Sequence, residues 1–258
     1  MDKRKTKNSW RVLIVVGVLC IPTIYFIQKI ISKYTLMQEA KVVRYTAFGI
    51  DMPPNYSIHG IDVSSHQKYI HWQAVKEMEI KKIKIDFAFI KATEGLNDTD
   101  KYFAKNWKKL KENKIPRGAY LFFLATKNGK KQAENFIKSV QLSSGDLPPV
   151  VDIEQLYGVP EATMRLRVKE CLQTLENTYK VKPIIYSYVD FYENYLGKDL
   201  NEYPLWIAHY FEKDKPRIAR EWMFWQHSEK AKVNGITTNV DFNVFKGDTT
   251  DFKKILIK

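Results

Sequence analysis

The run Pro148-Pro149-Val150-Val151-Asp152-Ile153-Glu154 ends in two acids with a single residue between them. On an extended strand, side chains two apart point to the same side, roughly 6.5–7 Å from one another along the chain. Asp152 and Glu154 are therefore expected on one face. Like charges at that range, helped by partial burial, raise at least one pKa, so one carboxyl can keep its proton near neutral pH and serve as a general acid. Two more acids stand in similar runs, Asp62 in Gly60-Ile61-Asp62-Val63-Ser64 and Asp241 in Asn239-Val240-Asp241-Phe242-Asn243. Gathered in one cleft, Asp62, Asp152, Glu154 and Asp241 suit cleavage of a glycosidic bond. One acid protonates the leaving oxygen while another carboxylate stabilises the oxocarbenium-like transition state or activates the attacking group. A divalent cation is the competing use of such a set. No His-x-His or carboxylate ladder accompanies the acids, and His66 and His71, five apart, do not share a helix face. Neither metal nor cofactor is expected.

Flat aromatic faces would complete a sugar site. Tyr120, Tyr186, Tyr188, Trp206, Tyr210 and Trp225 all fall in strand-like runs, and each is a candidate for core packing or for stacking on pyranose rings. Tyr120, Tyr186, Trp206 and Tyr210 are the chosen substrate contacts, together with Gln226, whose amide could meet hydroxyl or N-acetyl groups.

The elements that must position these residues recur along the chain. Short β-rich runs begin near Ile58, Asp86, Pro116, Pro148, Pro183, Pro204, Trp222 and Asn239, eight in all. The early intervals leave room for full helices, read at Ile70 to Lys81, Asp100 to Asn113, Gly129 to Leu142 and Glu161 to Tyr179, with a short one near Asp190 to Leu196. The last intervals do not. Repeated strand–helix units closing on a few bare strands predict an α/β fold, an irregular TIM-like barrel of five β/α units and three further strands. In such barrels the chemistry sits at the carboxyl ends of the strands, where these acids fall.

Charge separates the chain into two parts. The 258 residues hold 42 Lys and Arg against 29 Asp and Glu, but residues 56–258 carry only 33 against 26. That excess is too mild to demand nucleic acid, and no such partner is expected. Two cysteines, Cys20 and Cys171, exclude a disulfide framework and a cysteine-based zinc site. Residues 1–11 hold five cations, and Val12 to Gln28 then runs seventeen residues without a charge. This pattern predicts a basic cytoplasmic segment (1–11), a transmembrane signal anchor (12–31) and a juxtamembrane linker (32–56) before a catalytic barrel domain (57–258). The positive-inside bias puts the barrel on the extracytoplasmic side; cleavage of the segment would release it as a secreted protein.

In order along the chain, Gly60-Ile61-Asp62-Val63-Ser64, Phe89-Ile90-Lys91-Ala92-Thr93-Glu94-Gly95, Gly118-Ala119-Tyr120, Pro149 to Glu154, Ile185-Tyr186-Ser187, Leu205 to Tyr210, Trp225-Gln226 and Val240 to Asn243 resemble glycoside hydrolase family 25. These are lysozymes that cut the β-1,4 bond after N-acetylmuramic acid in peptidoglycan. The resemblance implies a barrel of five β/α units and three further strands. It implies Glu154 as catalytic acid assisted by Asp152, with Asp62 and Asp241 lining the cleft and tuning Glu154. Either a carboxylate acts directly in such enzymes, or the substrate's N-acetyl oxygen attacks while an Asp, here Asp152, orients it. Peptidoglycan glycan strands are the implied partner. One departure stands out: the family usually has His after Gly-Ala-Tyr, where this chain has Leu121, so altered substrate contacts are expected there. A non-catalytic wall-binding module and a metal-dependent polysaccharide deacetylase are the alternatives.

Overall fold

Each predicted strand run starts within two residues of an observed strand. The structure is a computed structural model that describes residues 27–29 and 43–258, and Val42–Lys258 form one unit. Its eight principal strands are β1 (His59–Val63), β2 (Phe87–Glu94), β3 (Arg117–Phe122), β4 (Val150–Asp152), β5 (Ile184–Tyr188), β6 (Leu205–Ala208), β7 (Phe224–Ala231) and β8 (Val240–Phe245). They pair in sequence order. β1 through β6 are each parallel to their successors, and β8 runs antiparallel to both β7 and β1, which closes the barrel. β8 is reversed because only eight residues separate it from β7, too few for a crossover, so the two form a hairpin.

The strands are buried on both faces, as Phe87–Glu94 illustrates with no exposed residue. Period-two alternation sorts their side chains into two cores. Outward residues such as Ile61, Ile90, Leu121, Val151, Ile185 and Ile207 pack under the helices. Inward residues Phe87, Phe89, Val150, Ile184, Trp206, Phe224 and Phe245 fill the lumen. Two inward positions must be glycine: a Cβ on Gly60 would lie 2.4 Å from the Phe87 ring, and one on Gly118 would lie 2.3 Å from Phe89. Small residues beside large ones let the rings interdigitate across the barrel.

The helices are α1 (Trp72–Glu77), α2 (Phe103–Glu112), α3 (Gly129–Ser139), α4 (Glu161–Tyr179) and α5 (Thr249–Ile255), with a short helical stretch over 189–196. The first is shorter than the expected Ile70 to Lys81. Lys81 and Lys82 adopt φ of 50° and 71°, and this tight turn joins Glu79–Ile80 to Ile83–Lys84 as a small hairpin instead. α5 was not expected. Asp248 caps it by accepting from the backbone N–H groups of Thr250 and Asp251, and Phe252 closes the foot of the lumen 5.6 Å from Phe87.

Part of the stretch expected as linker belongs to the folded unit. Val43–Tyr45 pairs with Ile50–Met52, and Phe48, Ile50 and Met52 are buried against the barrel. The backbone of Lys232 donates to the Phe48 carbonyl at 2.9 Å. The expected membrane-crossing segment, 12–31, lies outside the described residues except for a helical turn at 27–29. Among the described residues no helix is long and apolar enough to cross a membrane.

Candidate active site

At the carboxyl ends of the parallel strands the lumen opens into a hollow of about 320 Å3. All nine chosen site residues line it: Asp62, Asp152, Glu154 and Asp241, with Tyr120, Tyr186, Trp206, Tyr210 and Gln226. The convergence follows from strand geometry. Asp62 ends the inward row Ile58, Gly60, Asp62; Asp152 follows Val150; Asp241 sits opposite Asp62 in the β1–β8 register. Glu154 lies just beyond the end of β4 and is half-buried.

Asp62 is held by a continuous set of hydrogen bonds. Its Oδ2 accepts from Gln226 Nε2 at 2.8 Å and from Asn243 Nδ2 at 2.7 Å. Gln226 Oε1 in turn accepts from the hydroxyls of Tyr186 (2.9 Å) and Tyr210 (2.6 Å), and Asn243 Oδ1 accepts from the Trp206 indole at 2.8 Å. Each amide is thereby orientated from one side to present its N–H to the acid. Gln226 is thus committed within the protein, and its amide is not free to meet substrate as expected. Trp206 is also a floor and not a free stacking surface. It is almost fully buried, stacked on Phe89 at 4.5 Å with Tyr186 edge-on at 4.6 Å.

Burial sets the protonation of the acids. It is the main cause that raises each of the four, because a low-dielectric site disfavours the charged form. Asp62 is pushed to about 6, with the bonds from Asn243 and Gln226 opposing the rise. Asp241 is pushed to about 9, with the Asp62 charge adding to burial, and a proton held on Asp241 bonds back to Asp62. Asp152 is driven well above its ordinary value by burial and then by the charges of Glu154 and Asp62. Glu154 is raised by burial and by Asp62, against the neighbouring Tyr186 hydroxyl and the charge of Lys91. Buried Asp152 Oδ1 has no partner within the protein.

Four further residues complete the lining. Ser64, Lys91, Phe122 and Glu229 also face the hollow. Lys91 pairs with Glu94 at 2.6 Å and sits 4.7 Å from the centre of the Phe122 ring. The inward row Phe87, Phe89, Lys91 is a period-two signal that could have found it, and Asn243, two from Asp241, has the same signature. Glu229 lies beyond a bulge in β7, where alternation breaks, so no local signal marks it.

Leu121 requires a correction. The residues on either side of it, Tyr120 and Phe122, line the hollow, but Leu121 is fully buried in the outer core beneath the helices. Side chains one apart on a strand face opposite ways. The exchange expected to alter substrate contacts therefore points away from them.

Comparison with known proteins identifies the family. The family described as glycosyl hydrolases family 25 matches residues 61–236. A family 25 glycosyl hydrolase from Bacillus anthracis superposes with a TM-score of 0.71 at 33% identity, covering 78% of this chain and 94% of that one. A bacterial lysozyme from Streptomyces coelicolor gives 0.70 at 29% identity, covering 78% and 97%. Among curated relatives, Lysozyme M1 of Streptomyces globisporus is 31% identical over 74% of this chain and 68% of its own length, and YegX of Escherichia coli K12 is 39% identical over 96% and 93%. The chain belongs to glycosyl hydrolases family 25 and is a glycoside hydrolase.

Proposed function

We propose that the protein is a peptidoglycan hydrolase that cleaves the β-1,4 bond between N-acetylmuramic acid and N-acetylglucosamine, with Glu154 as general acid. The observation that carries this reading is the gathering of four acids, all with raised pKa, in one sugar-sized hollow at the barrel mouth. The names of the lysozyme relatives support the substrate.

In this reading Glu154 gives its proton to the glycosidic oxygen as the bond to the anomeric carbon breaks. The N-acetyl carbonyl oxygen of the substrate bonds to that carbon. Asp152 orients the acetamido group, a role suited to its unpartnered oxygen. Water then opens the cyclic intermediate, losing a proton to the Glu154 carboxylate and restoring the acid. Asp62 and Asp241 hold negative charge and one proton beside the site, which keeps Glu154 protonated. Tyr120, Tyr186 and Tyr210 form the walls around the sugar. The basic segment 1–11 and the uncharged run after it support a membrane tether with the barrel on the extracytoplasmic side.

The test is mass spectrometry of peptidoglycan digested by the full-length protein. New reducing ends on N-acetylmuramic acid are expected. New ends on N-acetylglucosamine, or loss of acetyl groups without chain cleavage, would replace the reading.

A further inference from the structure

A second hollow, also about 320 Å3, adjoins the first and shares Tyr210 and Glu229 with it. Its far wall is the hairpin 43–52 and the residues after it, which contribute Ile50, Asp51 and Pro53. These residues precede the stretch 61–236 that the family matches. The wall is firmly placed. Phe48, at the hairpin turn, is fully buried edge-on to Phe242 with ring centres 5.3 Å apart, and its carbonyl is tied to β7 through Lys232.

On the near rim stands Phe211, 92% exposed and at φ of 64°. A bulky residue in the left-handed region is strained, and an exposed ring recovers none of that cost by burial. The loop that presents it is braced. Glu212 accepts from Arg217 at 2.8 Å, and the Arg217 backbone N–H donates to His209 Nδ1 at 3.1 Å. A strained, uncovered aromatic on a braced loop, facing a packed wall across a hollow that adjoins the catalytic one, is the arrangement of a binding platform.

We propose that this hollow is a second saccharide subsite. It takes the part of the glycan chain that extends beyond the sugars in the catalytic hollow, with the Phe211 face stacking on a pyranose ring and Asp51 accepting from sugar hydroxyls. The inference rests on the hydrolase reading for the identity of the polymer. The occupant is the glycan because the hollow adjoins, through Tyr210 and Glu229, the one that receives the sugar. Its mixture of an aromatic face, Ile50, Pro53 and carboxylates matches a ring that is apolar on its faces and hydroxylated at its edge.

The experiment compares peptidoglycan glycan chains stripped of stem peptides, a tetrasaccharide and an octasaccharide, on the full-length protein and its Phe211→Ala and Asp51→Ala variants. In the unaltered protein kcat/KM should be higher for the octasaccharide. The ratio of long-chain to short-chain kcat/KM is expected to fall about five- to tenfold in Phe211→Ala, from the stacking lost, and less in Asp51→Ala. Binding of the same two chains to a Glu154→Gln protein, with and without Phe211→Ala, reads the subsite without turnover. Hydrolysis with a ratio that neither variant changes would overturn the subsite and leave the hydrolase reading standing. Binding whose gain with length depends on Phe211, without hydrolysis by the unaltered protein, would do the reverse. A gain that appears only when stem peptides are restored would also overturn the saccharide assignment.

Discussion

Followed from foot to mouth, the inward rows of the barrel change material within a few residues. Phe87 and Phe89 lead to Lys91, Val150 to Asp152, Ile184 to Tyr186, Phe224 to Gln226, and β8, running the other way, from Phe245 through Asn243 to Asp241. At the foot, rings pack against rings and Phe252 closes the end. A buried charge near the foot is fully matched: Arg117 donates to Asp146 at 2.8 Å and lies 3.9 Å from the Trp107 ring centre. At the mouth, Asp62, Asp152 and Asp241 are crowded together with Lys91 as the cation among them, and Lys91 is itself paired with Glu94. The foot is built for stability. The mouth holds like charges out of water at a cost to stability, which the packed lower half has to offset.

The sharpest way to break this contrast is to change the mouth and look for lost rate without lost stability. Glu154→Gln removes the proton donor, and an acid of this kind contributes about 10²–10⁴-fold to rate. Initial rates of reducing-end release are expected to drop by that factor while the unfolding midpoint stays level or rises, because a neutral amide replaces a carboxyl that burial disfavours. More than a tenth of the activity surviving would remove Glu154 from the role of acid.

The complementary change is at the foot. Phe89→Ala empties the space between Trp206 and Phe224, whose rings it meets at 4.5 Å and 5.3 Å. A buried aromatic deletion of this kind costs about 3–5 kcal/mol. Urea unfolding should show that loss, and a cost under about 1 kcal/mol would mean that the lumen is not the close-packed plug described above.

Strand positions and acids were legible in the sequence because they depend on local pattern: proline-bounded β-rich runs, period-two alternation and acids at strand ends. What escaped depends on partners far away in the chain. Gln226 reads locally as a free amide, yet its role is set by Asp62, 164 residues distant, and by Tyr186 on β5 and Tyr210 just past β6. Leu121 reads as a missing substrate contact until the facing of Tyr120 and Phe122 assigns it to the outer core. The hairpin at 43–52 looks like linker because its two strands are three residues each, and its order comes from Phe48 on the barrel. The seven-residue α5 is likewise too short to declare itself, and is secured by Phe252 against Phe87 and Phe245.

The cost of the mouth can be measured through Asp241. Burial first, and then the charge of Asp62, lift its carboxyl from 3.8 to about 9. In the unfolded chain the group keeps its ordinary value. Below about pH 4 both states hold the proton and the group leaves stability untouched. Between about pH 4 and 9 the unfolded chain releases the proton while the folded protein retains it, so the unfolded state gains, and stability from this group is lost as pH rises. Asp241→Asn has no proton to lose, and its amide can still donate to Asp62. Relative to the unaltered protein, the variant is therefore expected to gain more than about 1 kcal/mol of unfolding free energy between pH 4 and pH 8. The foot offers a control, because Phe89→Ala changes no titrating group and its cost should be the same at both pH values. A pH-independent difference for Asp241→Asn would mean that the mouth carries no electrostatic penalty and that the two halves of the lumen differ in shape alone.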